Sequence, residues 1–292
     1  MNSRTLKLAA LLLLPACVSA AGQEETLAVL ASGSGVYQDT FAAFRTAYGR
    51  DVRLQDISAG KPKPGPETRT VVAFGGKAAI GDYPPGLNIV YCLSPGIFLK
   101  NPARQGQTIK IAMLPAFDEV FYRLKLIQPG LKRLKAFWMV PDFIGYRDRF
   151  IAEGAAFGIE VSAVKVATAE ALPELLRKNL AEMDAFWVPP DPLLLTPENI
   201  LILKEFSWGN DIPFYASNRG ITREGATASV GVSFNAIGIA AAKAAAGLAA
   251  GEKLPTILFP DSVELTLNAA AAKNCGLTFP KEILNDAEQI FP

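Results

Sequence analysis

The sequence predicts an α/β protein made of two lobes, each built around a mainly parallel sheet. Short apolar runs rich in β-branched residues alternate with amphipathic helical stretches along most of the chain. The strands that this alternation defines are too many for one compact sheet of this length. The chain has 292 residues, 50% of them hydrophobic and 20% charged, and can therefore bury a large core.

The predicted elements follow one another as strand and then helix over most of the chain. The predicted strands comprise residues 26–31, 52–57, 70–74, 88–92, 109–113, 135–140, 160–166, 185–188, 213–216, 228–231 and 256–259. The predicted helices comprise residues 37–48, 116–127, 144–157, 169–179, 197–207, 235–250 and 264–274. Such a repeat gives parallel strands with helices on both faces of the sheet. We expect the change of lobe near residues 134–139.

Composition excludes several classes of function. The chain has no histidine, which removes Ser-His-Asp and Cys-His catalysis and most zinc or copper sites, and no metal or cofactor is predicted. The formal charge of +1 lacks the basic face that nucleic-acid binding needs. Cys92 and Cys275 are either two buried free thiols or a disulfide.

The N-terminus has the layout of a secretory signal peptide over residues 1–20. Arg4 and Lys7 precede an apolar run at 8–14, and small residues follow up to Ala20. The segment around Cys17 also resembles a bacterial lipoprotein box, in which that cysteine would be lipidated. Both alternatives predict a periplasmic protein, free or anchored through Cys17.

The loop Gly33-Ser34-Gly35 lies between the first predicted strand and helix. A dinucleotide-binding loop would need a third glycine where Gln38 stands, so nucleotide binding is disfavoured. The loop is then a tight turn before the helix or part of a pocket that binds a ligand through amides and hydroxyls.

Open parallel sheets bind ligands beyond the carboxyl ends of their strands, and this rule collects a set of small, hydroxyl-bearing and acidic residues. The candidate ligand-binding residues are Ser32, Ser34, Tyr37, Gly75, Gly76, Ser94, Asp142, Asp191, Tyr215, Ser217 and Ser233. Asp191 is the strongest candidate, because a carboxylate in a closed cleft can pair with a ligand ammonium. The alternative for Asp191 is a helix N-cap ahead of Pro192.

The C-terminal half resembles a known family. The segments "DAFWVPPD", "IPFYASNRGITREGATASVGVSFNAIGIAAAKAAAGLAAGEKLPTILF" and "LTLNAAAAKNCGLTFPKEILNDAEQIF" are similar to substrate-binding proteins of ABC transporters of the tryptophan/tyrosine-binding type. Looser matches upstream are "VVAFGGKAAI" and "IQPGLKRLKAFWMVP". The family usually has an acid in its "gvdY" segment, where this chain has Ser233 and Phe234.

The resemblance implies the type I periplasmic-binding-protein fold, with two Rossmann-like lobes, three crossings and a ligand cleft between the lobes. Lobe one would comprise residues 24–137 and 234–255, and lobe two residues 138–233 and 256–292.

The implied function is that of a monomeric, non-enzymatic solute-binding protein. It would close over a small organic ligand, such as an amino acid or a related compound, and present it to an ABC permease. The alternative is a divergent binding protein that acts as a ligand sensor or an envelope scaffold for another partner.

Overall fold

The computed structural model describes residues 25–100 and 103–292, with the side chain of Asp142 excepted. The predicted signal peptide and Cys17 lie outside the described residues. The strands are β1 (Glu25–Leu30), β2 (Arg53–Asp56), β3 (Thr68–Phe74), β4 (Asn88–Cys92), β5 (Thr108–Ile111), β6 (Arg133–Trp138), β7 (Glu160–Lys165), β8 (Ala185–Trp187), β9 (Phe214–Ala216), β10 (Ala228–Gly231), β11 (Ile257–Leu258), β12 (Glu264–Asn268) and β13 (Gln289–Phe291).

Helices connect most of these strands. They are α1 (Val36–Tyr48), α2 (Gly76–Ala79), α3 (Phe117–Ile127), α4 (Ile144–Ala156), α5 (Leu172–Asn179), α6 (Pro197–Gly209), α7 (Arg219–Arg223), α8 (Phe234–Ala249), α9 (Ala269–Asn274) and α10 (Lys281–Asp286). Short 3-10 helices lie at Ile57–Ala59, Pro141–Phe143, Ala169–Ala171 and Leu180–Glu182.

The strands form two sheets, as the alternating pattern predicts. The first sheet has the order β11-β5-β4-β3-β1-β2 and the second β13-β12-β10-β9-β8-β6-β7. Strand pairs are parallel throughout except for β10 with β12. Both sheets are buried on both faces. In β3, for example, Val72 and Phe74 join one apolar cluster while Val71 and Ala73 join another.

The C-terminal region differs from the predicted helix at 264–274. Residues 264–268 form β12, and Asn268 then caps α9 by accepting a hydrogen bond from the Ala271 amide at 2.8 Å. The helical prediction came from the alanine run, whereas pairing with β10 makes the preceding residues a strand. The short elements α2, α7, α10 and β13 were not predicted.

The sheets also place the change of lobe earlier than residues 134–139. β6 pairs with β7 and β8 in the second sheet, and Phe117 and Phe121 of α3 pack into the core of that sheet. The first crossing therefore precedes α3. At the other end, β11 pairs with β5 and belongs to the first sheet, so the last crossing follows β11. Residues of α8 pack in one apolar cluster with those of the first sheet.

The two predicted cysteine alternatives are resolved in favour of free thiols. Cys92 and Cys275 are both buried and form no disulfide. Cys92 lies in the core of the first lobe, and Cys275 lies beside Ser207 in the second. Burial raises the pKa of the Cys92 thiol far above its usual range.

The alanine-rich helix α8 lies unusually close to α1. A Cβ added at Gly238 would stand 2.4 Å from the Thr40 carbonyl oxygen, a backbone atom that cannot move alone. Glycine at this position therefore lets the two helices approach each other.

We expect Gly238→Ala to lower the free energy of unfolding by about 1–3 kcal/mol, because the added methyl overpacks this contact. Urea unfolding would measure the change. The matched control is Gly247→Ala in the same helix, where the new Cβ would meet the movable Glu252 carboxylate. There the higher helix propensity of alanine, worth about 1 kcal/mol, should keep the protein at least as stable. Equal stability of the two variants would contradict the close contact.

Candidate functional site

A cleft of about 670 Å³ lies between the two sheets at the carboxyl ends of their strands. Its walls combine the end of the first sheet, the start of α8 and the loops that follow the strands of the second sheet. The lining residues are Met113, Pro190, Ser217, Asn218, Arg219, Gly220, Arg223, Ser229, Gly231, Val232, Ser233, Phe234, Ile237, Glu264, Gln289 and Phe291. Its volume lies in the range of small-molecule sites.

Ser217 is the predicted site residue with the clearest unmet hydrogen-bonding capacity. It follows β9, is 2% exposed, and its hydroxyl has no hydrogen-bond partner among the described residues. The loop is held close to the end of β10, since a Cβ at Gly231 would stand 2.2 Å from the Ser217 carbonyl oxygen. A hydroxyl buried without a partner is costly unless something else satisfies it.

Ser233 also lies in the cleft, at the second crossing, which joins β10 to α8. Its hydroxyl accepts a hydrogen bond from the Ala236 amide at 3.1 Å and so caps α8. The next residue, Phe234, is 41% exposed and adds an aromatic surface to the cleft wall.

The cleft carries charges of both signs. Arg219 and Arg223 lie one turn apart in α7, and both line the cleft. The Glu264 carboxylate at the start of β12 lies 3.8 Å from Arg219 Nε. Arg223 Nε lies 3.5 Å from the Glu224 carboxylate, which is not part of the lining.

A second cavity, of only about 20 Å³, lies where the lobes touch. Ser94, another predicted site residue, lines it, and the Ser94 hydroxyl donates to the Cys92 carbonyl at 2.8 Å. Lys110 of the first lobe donates to the Ile97 carbonyl at 2.6 Å and lies 5.8 Å from the ring centre of Tyr146 in the second lobe. This side of the interlobe space is therefore largely filled by side chains.

Asp191 does not present a free carboxylate to the cleft, in contrast to the expectation for the strongest candidate. It is fully buried, and its oxygens accept four backbone hydrogen bonds. The donors are Met139 at 2.5 Å, Val140 at 2.8 Å, and Leu193 and Leu194 at 3.0 Å each. The carboxylate fixes the loop after β8 against the end of β6. The N-cap alternative is wrong as well, because a turn follows Asp191 and Thr196 caps the next helix, α6.

Tyr215 also points away from the cleft. Its ring is fully buried in the core of the second lobe, and its hydroxyl donates to Gln128 Oε1 at 2.9 Å. Burial, with a smaller contribution from the nearby Cys275 thiol, raises the pKa of the Tyr215 hydroxyl well above its usual value. The hydroxyl therefore stays protonated as a donor inside the core.

The remaining candidates of the first lobe lie in the turns after β1 and β3 or in the first turns of α1 and α2, outside the cleft lining. The Ser32 and Ser34 hydroxyls are 3.1 Å apart on an exposed turn. The Tyr37 ring packs over Gly75, where an added Cβ would stand 2.6 Å from Tyr37 Cε1 and where φ is +106°. Gly76 is the first residue of α2, and a Cβ added there would stand 2.7 Å from Ile97 Cδ1.

Asp142 lies in the short 3-10 helix Pro141–Phe143, and its side chain is not among the described parts of the chain.

Among residues 25–100 and 103–292, no group of three or more His, Cys, Asp or Glu is placed to hold a metal ion. Within the same ranges, no helix combines the length and apolar character that a bilayer-spanning segment requires.

Sequence reasoning missed the charged and C-terminal parts of the cleft. It collected only residues directly after strands, whereas Arg219 and Arg223 lie in a helix too short to be predicted. Their spacing of four residues was the available signal. Glu264, Gln289 and Phe291 were missed because β12 and β13 were not recognised.

A family model described as ABC transporter substrate binding protein matches residues 126–291, more than half of the chain. The chain belongs to this family. It is a substrate-binding protein, and solute binding is its function. No curated protein sequence matches it.

Solved structures of other substrate-binding proteins share its fold. The ABC domain of Streptococcus pneumoniae in complex with L-Trp has a TM-score of 0.60 at 16% identity, over 92% of this chain and 100% of that one. The ligand-free, open substrate-binding protein with adhesive properties from Clostridium difficile has a TM-score of 0.63 at 14% identity, over 92% and 99%. These likenesses confirm the predicted type I periplasmic-binding-protein fold.

We expect Asp191→Asn to lower the free energy of unfolding of this substrate-binding protein by about 3 kcal/mol. The asparagine NH₂ group cannot accept, so two buried amides lose their acceptor and the other two keep only a neutral one. Urea unfolding measures the effect, and Asp211→Asn, an exposed aspartate of the same lobe, is the control, expected within about 0.5 kcal/mol of the parent. An unchanged unfolding midpoint for Asp191→Asn would contradict the structural role.

Proposed function

We propose that this substrate-binding protein is exported, captures a small organic solute in the cleft between its lobes, and delivers it unaltered to an ABC permease. Closure of the lobes over the ligand would produce the form that the permease recognises. On this proposal the protein acts in the periplasm as a monomer, and the division into two lobes is the basis of its movement.

The observation that carries the proposal is the position of the cleft. Its walls come from both lobes and from two of the crossings, since Met113 and Val232 lie at the ends of β5 and β10. Ligand bound there would contact both lobes at once, which is what a hinge-closing binding protein needs.

We assign the ligand contacts to Ser217 and Ser233 of the predicted set and to Arg219, Arg223 and Phe234 from the structure. The buried Ser217 hydroxyl, without a partner among the described residues, supports the assignment, because a bound ligand would satisfy it. Ser32, Ser34 and Tyr37 would contact the ligand only if lobe movement brought the first-lobe strand ends nearer to the cleft.

The solute can be identified by mass spectrometry of small molecules released from the natively purified protein on heating. Added back, it should raise the melting temperature, because ligand that binds only the native state stabilises it by about 2.7 kcal/mol at a concentration 100 times Kd. It should be recovered chemically unchanged after incubation.

Deleting the gene in the host should reduce uptake of that solute, and normal uptake would contradict the transport role.

Ser217→Ala should weaken binding of the released solute about fivefold, because one hydrogen bond of about 1 kcal/mol is lost. Calorimetry would measure Kd. The control is Ser207→Ala, a fully buried serine of the same lobe whose hydroxyl donates to the Ile212 carbonyl, away from the cleft. That variant should lose stability but keep its affinity. The assignment fails if the two variants bind alike.

A further inference from the structure

The second-lobe wall of the cleft presents two arginine side chains. Arg219 and Arg223 line it together, while Glu264 is the only acidic residue among the described lining residues. The Glu264 carboxylate lies 3.8 Å from Arg219 Nε and forms an ion pair with that arginine. Arg223 Nε lies 3.5 Å from the Glu224 carboxylate outside the lining, so each guanidinium has one carboxylate near its Nε. The side chains of Arg219 and Arg223 are 63% and 69% exposed, which leaves their donors accessible to a ligand.

The Ser217 hydroxyl adds a buried donor to the same wall of the cleft. It lies two residues before Arg219 and is 98% buried, with no partner among the described residues. A hydroxyl can donate to an anion, and a hydrogen bond to an ionised acceptor is roughly twice as strong as one to a neutral acceptor. The two guanidinium groups and the hydroxyl thus form a set of donors that matches an anionic ligand group.

The opposite side of the cleft is apolar. Phe234 and Ile237 of α8 and Met113 after β5 supply most of this surface from the first-lobe side. A ligand that fits both sides has one anionic end and an apolar body.

We propose that the cleft binds a small organic acid through its carboxylate, which Arg219, Arg223 and Ser217 hold while the apolar body lies on Phe234 and Ile237. This inference rests on the proposed function and names its class of ligand. The planar fork of a guanidinium suits the two oxygens of a carboxylate. The Glu264 and Glu224 carboxylates beside the two guanidinium groups repel a second negative charge, so a monoanion is favoured over phosphate or sulfate.

The test uses matched pairs of acid and amide on the purified full-length protein. The probes are phenylacetate with phenylacetamide, isovalerate with isovaleramide, and L-phenylalanine with L-phenylalaninamide, beside inorganic phosphate, sulfate, sugars and polyamines. Thermal shift would screen them, and calorimetry would measure Kd for those that bind. At least one acid should stabilise the protein while its amide binds at least tenfold more weakly.

Arg223→Gln and Arg219→Gln should each weaken binding of that acid about tenfold or more, since each removes a charged donor. The control is Arg177→Gln, which removes the same charge from an exposed arginine of α5 outside the cleft and should leave Kd unchanged. Melting temperatures near that of the parent would show that the variants fold.

Different outcomes separate the inference from the proposed function. Amides that bind as tightly as their acids overturn the inference, as do cleft variants that bind like Arg177→Gln. Tighter binding of phosphate or sulfate than of any carboxylate also overturns it. A sugar or polyamine that binds in place of the acids overturns the inference but leaves solute capture standing. Failure of every class to bind, with no solute released from the native protein, overturns both.

Discussion

The buried Asp191 carboxylate organises the second-lobe side of the interlobe space. A charge taken wholly out of water is tolerated only when hydrogen bonds replace its hydration, and here four backbone amides do so. Two of those amides lie beyond β6 and two in the loop after β8, so one side chain joins the ends of neighbouring strands. Pro190, which precedes Asp191, lines both the cleft and the smaller cavity. The position of this part of the wall therefore depends on a group that has no oxygen left for a ligand.

Close backbone approach is the second constraint on the cleft. Gly231 allows the loop of Ser217 to lie against the end of β10, and Gly238 allows α8 to lie against α1. Both glycines have backbone carbonyls where a Cβ would be, so their neighbours cannot adjust by rotating a side chain. The cleft owes its shape to such contacts as much as to the residues that line it.

Periodicity was sufficient to predict most of the sheet strands, the two-lobed α/β class and the large helices. It could not predict β12, because the strand at 264–268 runs directly into an alanine-rich helix and only pairing with β10 distinguishes the two. Of the residues that the strand-end rule collected, Ser217 and Ser233 lie in the cleft lining. The same rule could not tell that the carboxylate of Asp191 and the hydroxyl of Tyr215 point to partners inside the protein. Those partners, Val140 and Gln128 among them, are distant in sequence and become neighbours only through the fold.

Helix α8 starts in the wall of the cleft and continues into the core of the first lobe. Its first residues, Phe234 and Ile237, face the cleft, while Ala241 and Ala245 are fully buried against the first sheet. Because Gly238 leaves no space between α8 and α1, the two helices pack as one unit of the first lobe. If the lobes close as proposed, a ligand that contacts Phe234 would act on the whole first lobe, and the bending would fall on the non-helical segments 112–116, 231–233 and 259–263.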